Sequence, residues 1–251
     1  MKNKHIELVE SAYTLEGSDE RWLEELGEMV RSMTDAEELL AVTYDASDPE
    51  TDPSVVERVR LDCSDAFAAH VVTTDSREEV ESFWRAGAQC MFVEQKYTQI
   101  EFETYAGHPW EVAKREVGMT DCWGLCAGSP EGFGAAFMYP SDTRGWVGEK
   151  EQELWMRMGM HIAAGMRVRR AFRKGVAFED AEAIFDRSGE LVHTVGPADS
   201  EEGRDALRDA YSRMQVARST LRSENPSRAI EIWDGLVAGR WSLVEKRESD
   251  G

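Results

Sequence analysis

The chain has 251 residues, 41% of them hydrophobic, enough for one large domain or two modest ones to bury a core without staples. Its 49 Asp and Glu against 29 Lys and Arg leave a formal net charge of −20, and the first 75 residues alone hold 19 acidic and 6 basic side chains. Such a surface repels phosphate backbones and anionic membranes, so nucleic acid and membrane are excluded as partners and a highly soluble surface is the plain reading.

Apolar runs such as Ala66-Phe67-Ala68-Ala69 are a few residues long, against the ~20 that a membrane-crossing helix needs. The first residues, Met1, Lys2, Asn3 and Lys4, lead into Glu7 and Glu10 with no apolar signal region. A cytoplasmic protein with reduced thiols is the expectation.

In chain order, residues 5–33 predict two helices separated at Gly17. Ser18 looks like an N-cap, with Asp19 and Glu20 suiting the helix N-terminus. Trp22, Leu23, Leu26, Met29, Val30 and Met33 recur at helical spacing. Residues 39–44 fit a strand ended by the turn residues 45–49. Asp52 and Pro53 then predict a helix start, with Val55, Val56, Val59 and Leu61 as its apolar side. A further helix is expected after Ser76, carrying Val80, Phe83 and Trp84 and stopped by Gly87. Residues 90–117 predict mixed short elements.

A hairpin is expected over 121–127 and 134–139 around a turn at 128–132. A long helix follows, from about Gly148 to Lys174, acidic at its start and basic at its end in opposition to the macrodipole. Leu154, Trp155, Met158, Ile162, Gly165 and Met166 form its apolar stripe. Residues 183–193 predict a second hairpin turning at 187–189. Ser200 caps a helix carrying Leu207, Tyr211, Met214 and Leu221. Asn225 and Pro226 open a last helix closed by Gly239. A strand at 241–245 then leads to a turn signal at Ser249, Asp250 and Gly251. The best domain boundary lies near 175.

No residue pattern marks a catalytic centre. Cys122 and Cys126 are four apart, where zinc sites usually want a two-residue gap and a second ligand pair. Together with Cys63 and Cys90 they read as buried structural thiols, with no metal site. His5, His70, His108, His161 and His193 are scattered. The glycines between Gly128 and Gly134 lie in a hairpin turn and lack the order of a phosphate-binding loop. Carboxylates are so numerous that paired acids carry no information about acid–base chemistry.

The aromatic residues are more suggestive. Trp84, Phe92, Tyr97, Phe102, Tyr105, Trp110 and Trp123 crowd into the least regular stretch, where a small-molecule pocket could form. Core packing is the competing explanation for each of them. Met156, Met158 and Met160 on the long helix could serve a dimer interface, or that helix could simply cover the sheet.

A family likeness appears in several stretches: 12–17 before Trp22 and Leu23, 42–45, 121–125, 161–170, 183–193 and 232–244. The sequence resembles the N-terminal regions of bacterial LuxR-type helix-turn-helix transcriptional regulators. The resemblance covers nearly the whole chain through framework patterns that carry no chemistry. It implies an α+β fold: a GAF-like antiparallel sheet flanked by helices at 1–175, then a small α+β domain of hairpin and helices at 176–251, incomplete at its C-terminal end. In such regulators a further strand and the DNA-binding domain would follow, so no recognition helix falls on any residue of this chain.

The preferred reading is therefore a sensory and dimerising region, a homodimer with a small-molecule ligand held near Tyr44, Trp84, Phe92, Trp110 and Trp123. It needs no cofactor and contacts no nucleic acid itself. A ligand-free interaction module is the second reading. An enzyme with an unmarked site is the third, and would gather His70, His108 or a cysteine beside a carboxylate of perturbed pKa.

Overall fold

The computed structural model describes residues 4–48, 50–51, 53–70, 87–97, 109–175, 180–186 and 188–244. The expected helix after Ser76, including Trp84, lies outside the described residues, as does the turn expected at 249–251.

The chain opens with helices α1 (Lys4–Ala12) and α2 (Asp19–Thr34). The Ser18 hydroxyl accepts a hydrogen bond from the Arg21 amide, a cap that contributes about 1 kcal/mol. Strands β1 (Leu39–Asp45) and β2 (Ser54–Leu61) follow, then α3 (Asp65–His70). After β3 (Ala88–Phe92) come the short α4 (Val93–Tyr97), α5 (Pro109–Val117) and the hairpin β4 (Asp121–Gly128) and β5 (Phe133–Ser141). The 25-residue α6 (Glu149–Arg173) is next. The C-terminal part holds β6 (Ala183–Phe185), β7 (Leu191–Thr194), a 3-10 turn at Gly196–Asp199, α7 (Glu201–Arg218), α8 (Leu221–Glu224) and α9 (Pro226–Ile232).

The chain is α+β, and five strands form one antiparallel sheet in the order β2-β1-β5-β4-β3. Strand β2 corrects the helix expected from Asp52 and Pro53. Val55 and Val59 are four apart and so mimic a helical face, but Val59 and Leu61 alternate with exposed residues, the period of a strand. A bulge between Thr43 and Tyr44 shifts the register of the β1–β2 pair. Val59 and Leu61 therefore lie on one face, while Val55 joins Leu40 and Val42 on the other. The β4–β5 turn depends on Gly132, at φ +86°, whose carbonyl accepts from the Ala46 amide at 2.7 Å. A Cβ there would meet the Ala46 carbonyl oxygen at 2.8 Å.

The chain divides into two compact units, Glu16–Ala163 and Met1–Leu15 together with Ala164–Gly251. The sequence boundary near 175, which separates 1–175 from 176–251, differs from this partition because α1 associates with the C-terminal helices. The Glu10 carboxylate pairs with Arg222 at 3.1 Å and with Arg218 at 3.6 Å. Tyr13 stacks on Trp233 with ring centroids 6.1 Å apart, and the buried Arg169 guanidinium donates to the Thr14 carbonyl.

The same unit buries Ala198, Leu207, Ala210 and Val237 around Phe185 and Trp241. Phe185 stacks on Tyr211 at 4.6 Å. The last helix ends at Ile232 and not at Gly239, and Leu221 belongs to α8, not to the helix that Ser200 caps. Trp241 forms only an isolated bridge with Val237, and residues 242–244 form no strand. Three residues, 238–240, separate the bridge partners.

The β6–β7 turn is organised by Asp186. Its carboxylate accepts from the Ser188 hydroxyl and from the Ser188 and Glu190 amides, at 2.7–2.9 Å. The Ser188 hydroxyl and then the Glu190 amide hold its pKa below the ordinary carboxylate value. A lowered folded-state pKa means the contribution is present above the unfolded pKa of about 3.9 and is lost as pH falls through the folded value. An NMR titration is expected to show the Ser188 and Glu190 amide shifts moving together with the Asp186 carboxyl, at a midpoint below the free value. Asp186→Ala should abolish that step, and titration at the free value would contradict the arrangement.

Candidate functional site

The register of the sheet sorts its side chains onto two faces. One face carries Leu39 and Ala41 of β1, Leu61 of β2, Phe137 of β5, Leu125 of β4 and Ala88 and Cys90 of β3, all buried. Helix α2 lies over β1 and β2, where Gly27 lets it approach Leu61 and Ala41. The N-terminal half of α6 covers β3 and β4: a Cβ on Gly159 would sit 2.9 Å from the Ala88 side chain.

On that face Phe92 and Trp123 are register partners. Trp123 stacks on Tyr139 with centroids 5.2 Å apart and meets the Trp155 ring edge-on at 5.2 Å. Phe92 meets Tyr139 edge-on at 6.4 Å. Gly145 lies against the Phe92 ring so closely that a Cβ there would overlap it. Four aromatic rings thus interdigitate with one another and with α6, which is dense packing rather than a cleft. Burial and the neighbouring Cys90 push the Tyr139 hydroxyl up to about 12.

The opposite face carries Leu40, Val42 and Tyr44 of β1, Ala136 of β5 and Cys122 and Cys126 of β4. Phe67 and Ala68 of α3, Cys63 and Met119 close over the Leu40 side, with Val117 and Met138 beside them. Tyr44 is 3% exposed, and its hydroxyl lies beside the Cys126 side chain. Burial, then Cys126, raise its pKa. Its ring lies over Gly134, where a Cβ would come 2.2 Å from the hydroxyl. The Tyr44 ring thus fills the space that Gly134 leaves, and Ala136 packs into the Leu40 and Phe67 cluster.

The five expected ligand residues are therefore not one cluster. Phe92 and Trp123 share the α6 face, and Tyr44 sits on the other. Trp110 belongs to α5, but its side chain lies outside the described residues, like all of Trp84. The side chain of His70 and all of His108, invoked for an unmarked active site, lie outside them as well. Met158 is buried, whereas Met156 and Met160 are exposed.

All four cysteines are free and buried. Burial, then Glu38, raises the Cys63 thiol to about 11, and burial is the largest cause of the upward shifts of Cys90 and Cys122. Cys63, Cys90 and Cys122 stay protonated at neutral pH, a state that neither attacks carbonyls nor binds metal well. Among the described residues no group of three or more His, Cys, Asp and Glu side chains could hold a metal ion. A shallow depression lined by Arg21, Glu24, Glu25, Glu28, Met29 and Ser32 is the solvated side of α2 alone.

Sequence reasoning missed a buried polar cluster at the end of β3. Asp121 is fully buried. Its Oδ1 accepts from the Glu94 and Cys122 amides at 3.0 and 2.8 Å, and its Oδ2 from the Gly145 amide at 3.1 Å. The Gln95 side chain donates to the Val147 carbonyl and accepts from the Val147 amide, both at 3.0 Å, as a neighbouring strand would. The Glu94 carboxylate pairs with Lys114 of α5 at 2.6 Å and with Arg144 at 3.5 Å. No sequence signal separates one such carboxylate from the other 48 acidic residues.

No family model and no curated protein matches the chain. Among the described residues, no helix is long and apolar enough to cross a membrane.

Proposed function

We propose that the chain is the sensory and dimerising region of a LuxR-type transcriptional regulator, with its GAF-like part in the unit Glu16–Ala163. The observation that carries the reading is the five-stranded antiparallel sheet flanked by helices, the architecture such a sensor requires. The sequence likeness supports it further. The protein works as a cytoplasmic homodimer, and the DNA-binding function lies in a separate part of the regulator, a division that suits the net charge of −20.

The ligand is a small molecule held on the face that carries Tyr44. One feature favours that face: a tyrosine hydroxyl buried beside a thiol, a polar group set within an apolar layer. On the opposite face the aromatic rings are already occupied by one another and by α6.

A thermal-shift screen of metabolites tests this reading. A hit is expected to bind Tyr44→Phe about tenfold more weakly if the hydroxyl contacts it, since an unmade buried hydrogen bond costs about 1–3 kcal/mol. Trp155→Phe should lower stability and leave ligand affinity unchanged. Equal loss from both variants, or no hit from a broad screen, counts against the reading. A basic helix-turn-helix encoded beyond Gly251 would support the regulator assignment, and sedimentation equilibrium tests the dimer.

A further inference from the structure

The dipeptide Glu94–Gln95 sits where three elements converge. Its Glu94 amide is held by Asp121 of β4, its Glu94 carboxylate by Lys114 of α5, and its Gln95 amide group by the backbone of Val147. Val147 and Gly145 belong to the segment that leads directly into α6, and Asp121 grips Gly145 from the same side. The first turn of α6 is tied back as well, since the Gln152 side chain donates to the Cys90 carbonyl at 2.9 Å.

The ties are shielded from water. Gln95 is 8% exposed, and the Glu94 and Lys114 side chains are 12% and 16% exposed. An ion pair this sheltered is screened less by solvent than a surface pair, and a buried amide that loses a hydrogen-bond partner is costly. A shift of α5 that carries Lys114 away therefore loosens Glu94, and with it the neighbouring grip of Gln95 on Val147.

We infer that Glu94–Gln95 is a mechanical coupling by which displacement of α5 on one side of the sheet reaches the start of the long helix α6 on the other. Its use as a signal path rests on the sensor reading above. The coupling itself does not.

Amide hydrogen exchange without any ligand tests it, so that a failed ligand screen and a failed coupling are separate outcomes. Lys114→Met keeps the aliphatic stem and removes the charge. The amides of Glu94, Gly145 and Val147 are expected to exchange about tenfold faster in this variant, while β1 and β5 amides keep their protection. Lys114→Arg, which retains the pair, should leave all of them unchanged. Gln95→Leu provides the reference, since it removes the Val147 acceptor outright and must accelerate that amide. Acceleration by Lys114→Met confined to 109–118, or spread evenly over the sheet, overturns the coupling. So does a fast Val147 amide in Gln95→Leu beside an unchanged one in Lys114→Met.

Discussion

Asp121→Ala is expected to destabilise the protein by about 3–5 kcal/mol, the largest loss from any single polar side chain among the described residues of the sheet unit. The carboxylate is fully buried and accepts from three backbone amides that belong to different segments: Glu94 after β3, Cys122 within β4 and Gly145 before α6. Alanine leaves all three donors in a dry environment, and each unsatisfied group costs about 1–3 kcal/mol, reduced where a water can enter the vacated space. Asp121→Asn is the sharper test. It keeps the shape, but whichever way the amide is turned, its NH₂ meets at least one N–H donor. A loss of about 2 kcal/mol is expected. Urea denaturation followed by tryptophan fluorescence reads both variants as a lower midpoint at unchanged slope. A wild-type midpoint for Asp121→Asn would mean that the carboxylate charge is not needed there.

Much of the fold was legible because its signals are local. Ser18 before Asp19 and Glu20, Ser200 before Glu201 and Glu202, and Asn225 before Pro226 all cap helices through their side chains. The 25-residue α6 was readable from its stripe: Trp155, Met158, Ile162 and Gly165 are buried, while Met156 and Met160 are not. Strand β2 was not readable, since Val55 and Val59 fit a helix as well as a strand until pairing with β1 decides between them. That pairing is set by tertiary context, which overrides local propensity.

The site was less legible for a related reason. Tyr44, Phe92 and Trp123 are all aromatic and all sit in or beside the sheet, but the face each one takes depends on register with strands far away in sequence. A one-residue slip would exchange the faces. Nothing within the sequence around Tyr44 or Trp123 fixes that parity. Asp121, Gln95 and Glu94 were missed because Lys114 and Arg144 are distant in sequence, and the partners at 94, 122, 145 and 147 are backbone atoms, which leave no side-chain pattern to find.

Gly165→Ala sets helix propensity against packing. Gly165 lies inside α6, where glycine is less favourable than alanine by about 0.8–1.0 kcal/mol. If helix propensity governed the position, Gly165→Ala would stabilise the protein by roughly that amount. The packing argues the reverse. A Cβ at 165 would stand 2.0 Å from the Ala12 carbonyl oxygen and 2.7 Å from its carbon, and both are backbone atoms near the end of α1 that cannot rotate aside. Either α1 withdraws or α6 bends, and overpacking of this kind costs about 1–3 kcal/mol or more. The displacement would also disturb neighbouring contacts that hold α1, the Arg169 bond to Thr14 and the Glu10 pairs with Arg218 and Arg222. Gly165→Ala is therefore expected to destabilise by a net ~2 kcal/mol, combining the overpacking cost with the propensity gain. Hydrogen exchange should accelerate first at α1 amides, with β1, β4 and β5 keeping their protection. A more stable Gly165→Ala protein would mean that α1 does not approach α6 this closely, and the assignment of the first fifteen residues to the C-terminal unit would fall with it.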